Sequence, residues 1–279
     1  MLGLGLGLQK STKLGGFVGL LDLYPNAAAA YSLRKLRAAY SGNAIRVRKE
    51  VSSVSSETDI GFLADGSLDT VSLLAFASDA DSGDVFVVTW YDQSGNGNDS
   101  THSTGANQHL IVSSGVLVID NLMPSVNGEG KAGYLLDTKI TDVKTVIAVG
   151  SKLNDTTINY ISGSGTSPFT GVYVGRGSLN DLGVYSLNAA IADSSASIAD
   201  DTQFLSVFDF DTTWKCSVNG SSLSNTSDDG QIDIDRAFGR NLSSLCLSGL
   251  EQMLVIYTTS QTSNLSAMQD NINDDYNIY

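Results

Sequence analysis

Between residues 85 and 99 the chain commits itself to one local shape. Val85-Phe86-Val87-Val88-Thr89-Trp90-Tyr91 is a run of β-branched and aromatic residues, which predicts a buried strand. It breaks at once into Asp92-Gln93-Ser94-Gly95-Asn96-Gly97-Asn98-Asp99. Gly, Asn and Asp tolerate left-handed dihedrals, and short polar side chains bond their own backbone, so a tight ordered turn must follow. A flexible linker would need no pair of large aromatics in front of it. The segment predicts a built turn that the rest of the fold holds.

Composition agrees with a turn-rich β protein. Of 30 acidic residues only four are glutamates (Glu50, Glu57, Glu129 and Glu251), and aspartate favours turns where glutamate favours helices. At 279 residues, 42% of them hydrophobic, the chain can bury a sizeable core as one large β domain or two small ones. A net charge of −14 argues against nucleic acid, whose phosphates need clustered Lys and Arg. It suits an extracellular or surface-displayed protein. No apolar run is long enough to span a bilayer, so no membrane insertion is expected. The N-terminus lacks the basic stretch and cleavage site of a signal peptide. Cys216 and Cys246 lie in strand-like runs and could form one bridge or remain buried thiols.

Residues 2 to 8 alternate Leu and Gly. With Phe17, the side chains of Leu2, Leu4, Leu6 and Leu8 make residues 1–22 a greasy arm that cannot bury itself alone. Its own domain, a sister subunit or a larger assembly must order it. A helix is predicted over 27–40, capped by Asn26 and stopped by Gly42, with Leu33, Leu36 and Tyr40 on one face. Strand patterns follow at 44–48 and 57–62, and a short helix at 68–77. The acidic run 79–84 resembles a calcium loop, but Trp90 fills the position of the bidentate glutamate, so it reads as an ordinary loop. Many short strand-like runs then alternate with turns, among them a hairpin at Asn219-Gly220. A helix over 263–273 closes the chain. The pattern predicts a β-sandwich or barrel forming a single domain over 23–279 behind the arm.

The order of these motifs resembles one family. Tyr31-Ser32-Leu33-Arg34-Lys35-Leu36, Tyr40-Ser41-Gly42, Ile45-Arg46-Val47-Arg48, Asp59-Ile60-Gly61 and the run from Trp90 to Asn98 look like the catalytic-domain signature of the α-L-arabinofuranosidase B family. The resemblance implies a mostly β, concanavalin A-like (laminin G-like) jelly-roll sandwich. The same signature recurs in lectin-like domains of bacteriophage structural proteins, often after a leader like Leu23-Tyr24-Pro25-Asn26-Ala27-Ala28. The ending from Gln269 to Tyr279 also resembles those domains.

The resemblance implies a glutamate nucleophile in the middle of the sandwich, yet no glutamate lies between Glu129 and Glu251. It implies an acid/base aspartate after a glycine-rich strand end. Its match here, Phe238-Gly239-Arg240-Asn241, offers no carboxylate. No catalytic residue is therefore assigned, because a retaining glycosidase needs two carboxyls about 5 Å apart. His102 and His109 lack the spacing of metal ligands, and no metal or cofactor is expected. Sugar sites set aromatic platforms beside polar side chains, so Asp92, Asn96, Asn98, Tyr173 and Arg176 are the carbohydrate-binding candidates. Trp90 and Tyr91, ending a buried strand, are assigned to the core. The expectation is a non-enzymatic virion protein, such as a head fibre, decoration or tail-fibre component, on the particle exterior. It would be a homo-oligomer that contacts other virion proteins through the arm and binds cell-surface glycans. The alternatives are an active arabinofuranosidase-like glycoside hydrolase and a bacterial surface adhesin.

Overall fold

The computed structural model describes residues 16–153, 158–166, 169–176, 179–186, 189–211, 214–224, 231–241 and 246–279. Leu2, Leu4, Leu6 and Leu8 lie outside them. In chain order the longer strands are β1 (Ala29–Ser32), β2 (Ile45–Val51), β3 (Val54–Ile60), β4 (Val85–Trp90), β5 (Leu110–Ser113), β6 (Tyr134–Ile140), β7 (Thr145–Lys152) and β8 (Ile158–Gly163). There follow β9 (Thr170–Arg176), β10 (Leu179–Ser186), β11 (Ala189–Ser197), β12 (Thr202–Asp209), β13 (Lys215–Val218), β14 (Ser221–Ser224), β15 (Ile234–Ala237) and β16 (Gly249–Tyr257). The helices are α1 (Leu20–Leu23), α2 (Thr70–Ala77) and α3 (Leu265–Tyr276).

The strands pair antiparallel in two layers. One runs β3–β2–β4, through the short piece Ser100-Thr101, to β6–β15–β8–β9–β10–β11. The other runs β14–β13–β12–β7–β16–β1. Val126-Asn127 pairs with β16 and with β5, and β5 pairs with β4, which joins the layers along one side. This is the concanavalin A-like jelly-roll sandwich that the motifs imply.

Two apolar clusters hold it. Between the layers lie Trp90, Tyr134, Phe204, Phe208 and Leu254. On the far side of the second layer, Ile147, Val149, Val207 and Val255 pack under Leu20 and Leu21 of α1 and Met268 and Ile272 of α3. Strand β7 is therefore buried along its whole length, and its centre, Val146-Ile147-Ala148-Val149, is a continuous apolar run instead of an alternation. An isolated helix of 12 residues is marginal in water. Burying Met268 and Ile272 adds roughly 3–6 kcal/mol, so packing holds α3 in place. Leu20 and Leu21, which the sequence places in the arm, belong to this cluster. Phe17 also packs on the domain, with Lys35 Nζ 6.0 Å from its ring centroid.

The helix expected over 27–40 does not form. Ala29-Ala30-Tyr31-Ser32 is instead β1, in register with Ile256-Val255-Leu254-Met253 of β16. Ala29 and Tyr31 face the inter-layer core while Ala30 faces the outer cluster. The alanines are there for their size: tertiary packing overrides their helix propensity. Asn26 takes a left-handed φ of 69° and caps nothing. Leu33 and Leu36 enter different clusters, so they share no face. The other elements expected near 68–77, 219–220 and 263–273 are present, with Asn219 and Gly220 both at positive φ in the turn between β13 and β14.

The run from Asp92 to Asn98 holds the first layer to β1. Asp92 Oδ1 accepts Ala30 N at 2.9 Å and Ser94 N at 2.9 Å. Its Oδ2 accepts Ser94 Oγ at 2.7 Å and Asn98 N at 3.1 Å. Gln93 acts as a surrogate strand: Oε1 accepts Leu36 N at 2.8 Å, and Nε2 donates to Ser32 O at 2.8 Å. Asn96 Nδ2 donates to Ala27 O at 2.9 Å. Asn98 pairs with Thr138 both ways, at 2.9 and 2.7 Å. Trp90 is buried as expected, but Tyr91 is only half-buried and donates to Asp59 Oδ1 at 2.8 Å.

Replacing Asp92 with Ala leaves the buried Ala30 and Asn98 amides without acceptors. Each unsatisfied group costs roughly 1–3 kcal/mol, so urea unfolding should show a loss of about 3 kcal/mol or more. A loss below about 1 kcal/mol would mean that the turn follows the fold and does not hold it.

Candidate functional site

The centre of the first layer ends in an unusual bend. Strand β15 lies between β6 and β8 and stops at Ala237. Phe238 then takes φ 54°, a left-handed conformation that costs a bulky residue on the order of 1–3 kcal/mol. Its ring secures it, with its centroid 4.5 Å from Trp90 and 6.4 Å from Tyr31. Gly239 bridges to Ser162 and to Cys246, and Arg240 follows at the surface.

Three neighbouring strands surround the Arg240 guanidinium with rings. Its central carbon lies 5.2 Å from the Tyr160 centroid on β8, 5.3 Å from Phe169 just before β9, and 4.5 Å from Tyr185 on β10. Nη1 donates to Tyr160 Oη at 2.9 Å. Nε is buried with no partner among the described residues. Phe169, Tyr185 and Arg240 are half-exposed. Glycines make the space: a Cβ at Gly171 would stand 2.9 Å from the Tyr160 ring, and one at Gly163 would stand 3.1 Å from Arg240 Cγ.

The carboxyls beside this cleft are already engaged. Asp235 Oδ1 accepts Gly165 N at 2.8 Å and faces Arg236 Nη1 at 3.0 Å, while Oδ2 accepts Thr166 Oγ1 at 2.8 Å. Asp233 is held by Lys139 at 3.0 Å and Gln231 at 2.7 Å. Burial alone would raise its pKa, but the hydrogen bonds from Gln231 and Lys139 outweigh that and hold it below the usual range. Asp233 precedes β15 and Asp235 lies within it, about 7 Å apart along the extended chain.

Behind the bend sits a buried polar dyad. Gly133 N donates to Asn241 O at 2.9 Å, which packs the loop 128–133 against the bend. Beneath that loop, His109 Nε2 donates to Ala132 O at 2.8 Å and Nδ1 meets Glu251 Oε2 at 2.7 Å. Glu251 Oε1 is buried with no partner among the described residues, and a Cβ at Gly128 would lie 2.8 Å from it. A lone carboxylate oxygen in that setting is costly. Burial pushes Glu251 up to about 7, against the opposing attraction of His109. Glu251 thus holds its proton more tightly than an ordinary carboxyl, 2.7 Å from the His109 ring. Cys246 Sγ donates to Gly128 O at 3.0 Å, and burial raises its thiol to about 12. Cys216 is equally free and buried, so the two cysteines form no bridge.

The residues singled out from sequence do not come together here. Asn96 and Asn98 line a surface cavity of about 730 Å³ with Arg37 and Thr138, but their amides, like the Asp92 carboxylate, are bound to backbone. Tyr173 is fully buried and meets the Tyr160 ring edge-on, so it supports the cleft from beneath instead of serving as a platform. Arg176 pairs with Leu179 through the backbone between β9 and β10, and its side chain lies outside the described residues. Arg240, Tyr160, Phe169 and Tyr185 were missed. The available signal was three aromatics interleaved with Gly163, Gly171 and Gly183, ahead of an arginine at the strand end.

No protein-family model matches the chain, and no curated protein sequence does. Solved structures share its fold. An arabinofuranosidase complexed with arabinofuranosyl-α-1,2-xylobiose is 18% identical, with a TM-score of 0.64 over 91% of this chain and 64% of its own. A GH54 α-L-arabinofuranosidase soaked with a cyclic sulfate inhibitor is also 18% identical, with a TM-score of 0.66 over 91% of this chain and 65% of its own. The chain thus spans about two-thirds of the length of these enzymes. At this identity the likeness establishes a shared sandwich and nothing about catalysis.

The dyad can be tested through pH. The folded Glu251 keeps its proton up to about pH 7, whereas an unfolded glutamate releases it near 4.5. Between those values the folded state binds more protons, so the dyad's contribution falls as pH rises. The stability of wild type minus that of Glu251→Gln should decline from pH 4.5 to 7.5 by up to about 3 kcal/mol. The opposite slope would indicate that Glu251 is ionised in the folded protein.

Proposed function

We propose that this protein is a carbohydrate-binding β-sandwich that does not cleave glycosidic bonds, displayed on the exterior of a bacteriophage particle. The observation that carries the binding part is the half-exposed cleft of Phe169 and Tyr185 beside Arg240. Aromatic faces offer large, rigid contact area for sugar rings, and a fixed polar group supplies orientation. The absence of cleavage is argued from Asp233 and Asp235, whose oxygens are spent on fold contacts. The virion setting rests on the sequence resemblance and on the Leu-Gly arm, through which the protein would attach to other virion proteins as a homo-oligomer.

Two measurements test this reading. Incubation at high protein concentration with 4-nitrophenyl α-L-arabinofuranoside should release no nitrophenol, and a glycan array should show binding that Tyr185→Ala weakens at least tenfold. Turnover that disappears in Asp235→Asn would establish a hydrolase instead. Separately, removing residues 1–15, which spares the buried Leu20 and Leu21, should leave thermal unfolding unchanged and abolish incorporation into particles. Undiminished incorporation would sink the arm as an anchor.

A further inference from the structure

We propose that the Arg240 cleft takes an anionic sugar, one whose ring carries a carboxylate, and that Arg240 is its specificity-determining residue. This rests on the carbohydrate-binding reading above and narrows it to a ligand class. The first ground is what Arg240 lacks. In a chain with 30 acidic and 16 basic residues, arginines readily find acids: Arg34 meets Asp275 at 2.8 Å, Arg46 meets Asp59 at 2.7 Å, Arg48 meets Glu50 at 2.7 Å and Arg236 meets Asp235 at 3.0 Å. Arg240 meets none among the described residues. A guanidinium carries five N–H donors, and among the described residues one has a partner, the Tyr160 hydroxyl. Its Nε–H is buried and unanswered.

The second ground is charge at the cleft. Asp235, the carboxylate on the adjoining strand, is neutralised by Arg236 and by donors from residues 165 and 166. Among the described residues, Arg240 is therefore a cleft charge that meets no carboxylate. The third is preorganisation. Rings on β8 and β10 and the ring of Phe169 hold the planar fork in one orientation, so its ordering is completed before any ligand arrives. A carboxylate matches that fork with two parallel N–H···O bonds and would satisfy the orphan donor. A neutral sugar offers hydroxyls, which leave the positive charge without a counter-ion. The net charge of −14 does not forbid this, since exposed charges beyond about 8 Å are largely screened at physiological ionic strength.

The probes are trigalacturonate and its methyl ester, which differ in charge and little in shape. Calorimetry on the full chain should show the acid binding at least tenfold tighter than the ester. Arg240→Gln should remove that preference, and Arg240→Lys, which keeps the charge but not the fork, should restore only part of it. On the wild-type protein, the Arg240 Nε–H resonance should shift on addition of trigalacturonate, a readout that needs no variant to fold. Equal binding of acid and ester would overturn the anionic assignment while leaving a sugar site in place. Tight acid binding that persists in Arg240→Gln would overturn the role of Arg240. Failure of both probes to bind, with neutral oligosaccharides bound at Tyr185, would overturn the ligand class alone. Failure of every sugar tried would remove the carbohydrate reading with it.

Discussion

The sandwich depends on a single carboxylate spent entirely on backbone geometry. Asp92 accepts four hydrogen bonds, and through Ala30 it ties the end of β4 in one layer to β1 in the other. Gln93 extends the same device to the irregular segment after β1, accepting from Leu36 N and donating to Ser32 O where the ladder with β16 runs out. Side chains here do the work of a missing strand. This satisfies backbone groups that burial would otherwise leave orphaned. The segment could then fold as β1 and an ordered loop even though its alanines favour a helix.

That trade explains what could and could not be read from sequence. Period-two alternation in Ile45-Arg46-Val47-Arg48 and the Asn-Gly turn are local signals, and both elements formed where local chemistry predicted. The turn after Trp90 was legible for the same reason, since its residue types announce self-bonding side chains. Strand β1 was not legible, because its cause is a register with β16 more than 220 residues away. The cleft was illegible for a related reason. Tyr160, Phe169, Tyr185 and Arg240 span 80 positions and meet only because β8, β9, β10 and β15 lie side by side. Polar residues beside the diagnostic turn drew attention as ligands, but turn chemistry and sugar chemistry use the same side chains. Only hydrogen-bond partners separate the two.

The layers also divide labour. The second is roofed by α1 and α3 and has no free face in its middle strands, so its residues serve packing. The first carries the half-exposed rings and the bend, while Glu251 of the buried dyad comes from β16 of the second. The proposed binding cleft lies in the layer where burial is incomplete.

The bend at Phe238 has one more consequence. Its geometry is secured by a ring packed on Trp90 and Tyr31, contacts in which the side chain of residue 240 takes no part. The frame therefore dictates where that side chain is delivered and leaves its chemistry open. A carboxylate, an amide or a guanidinium could be carried to the same spot without rebuilding the sheet. Such a position behaves as a socket. One substitution there can reverse the charge a surface presents while the architecture that displays it stays the same.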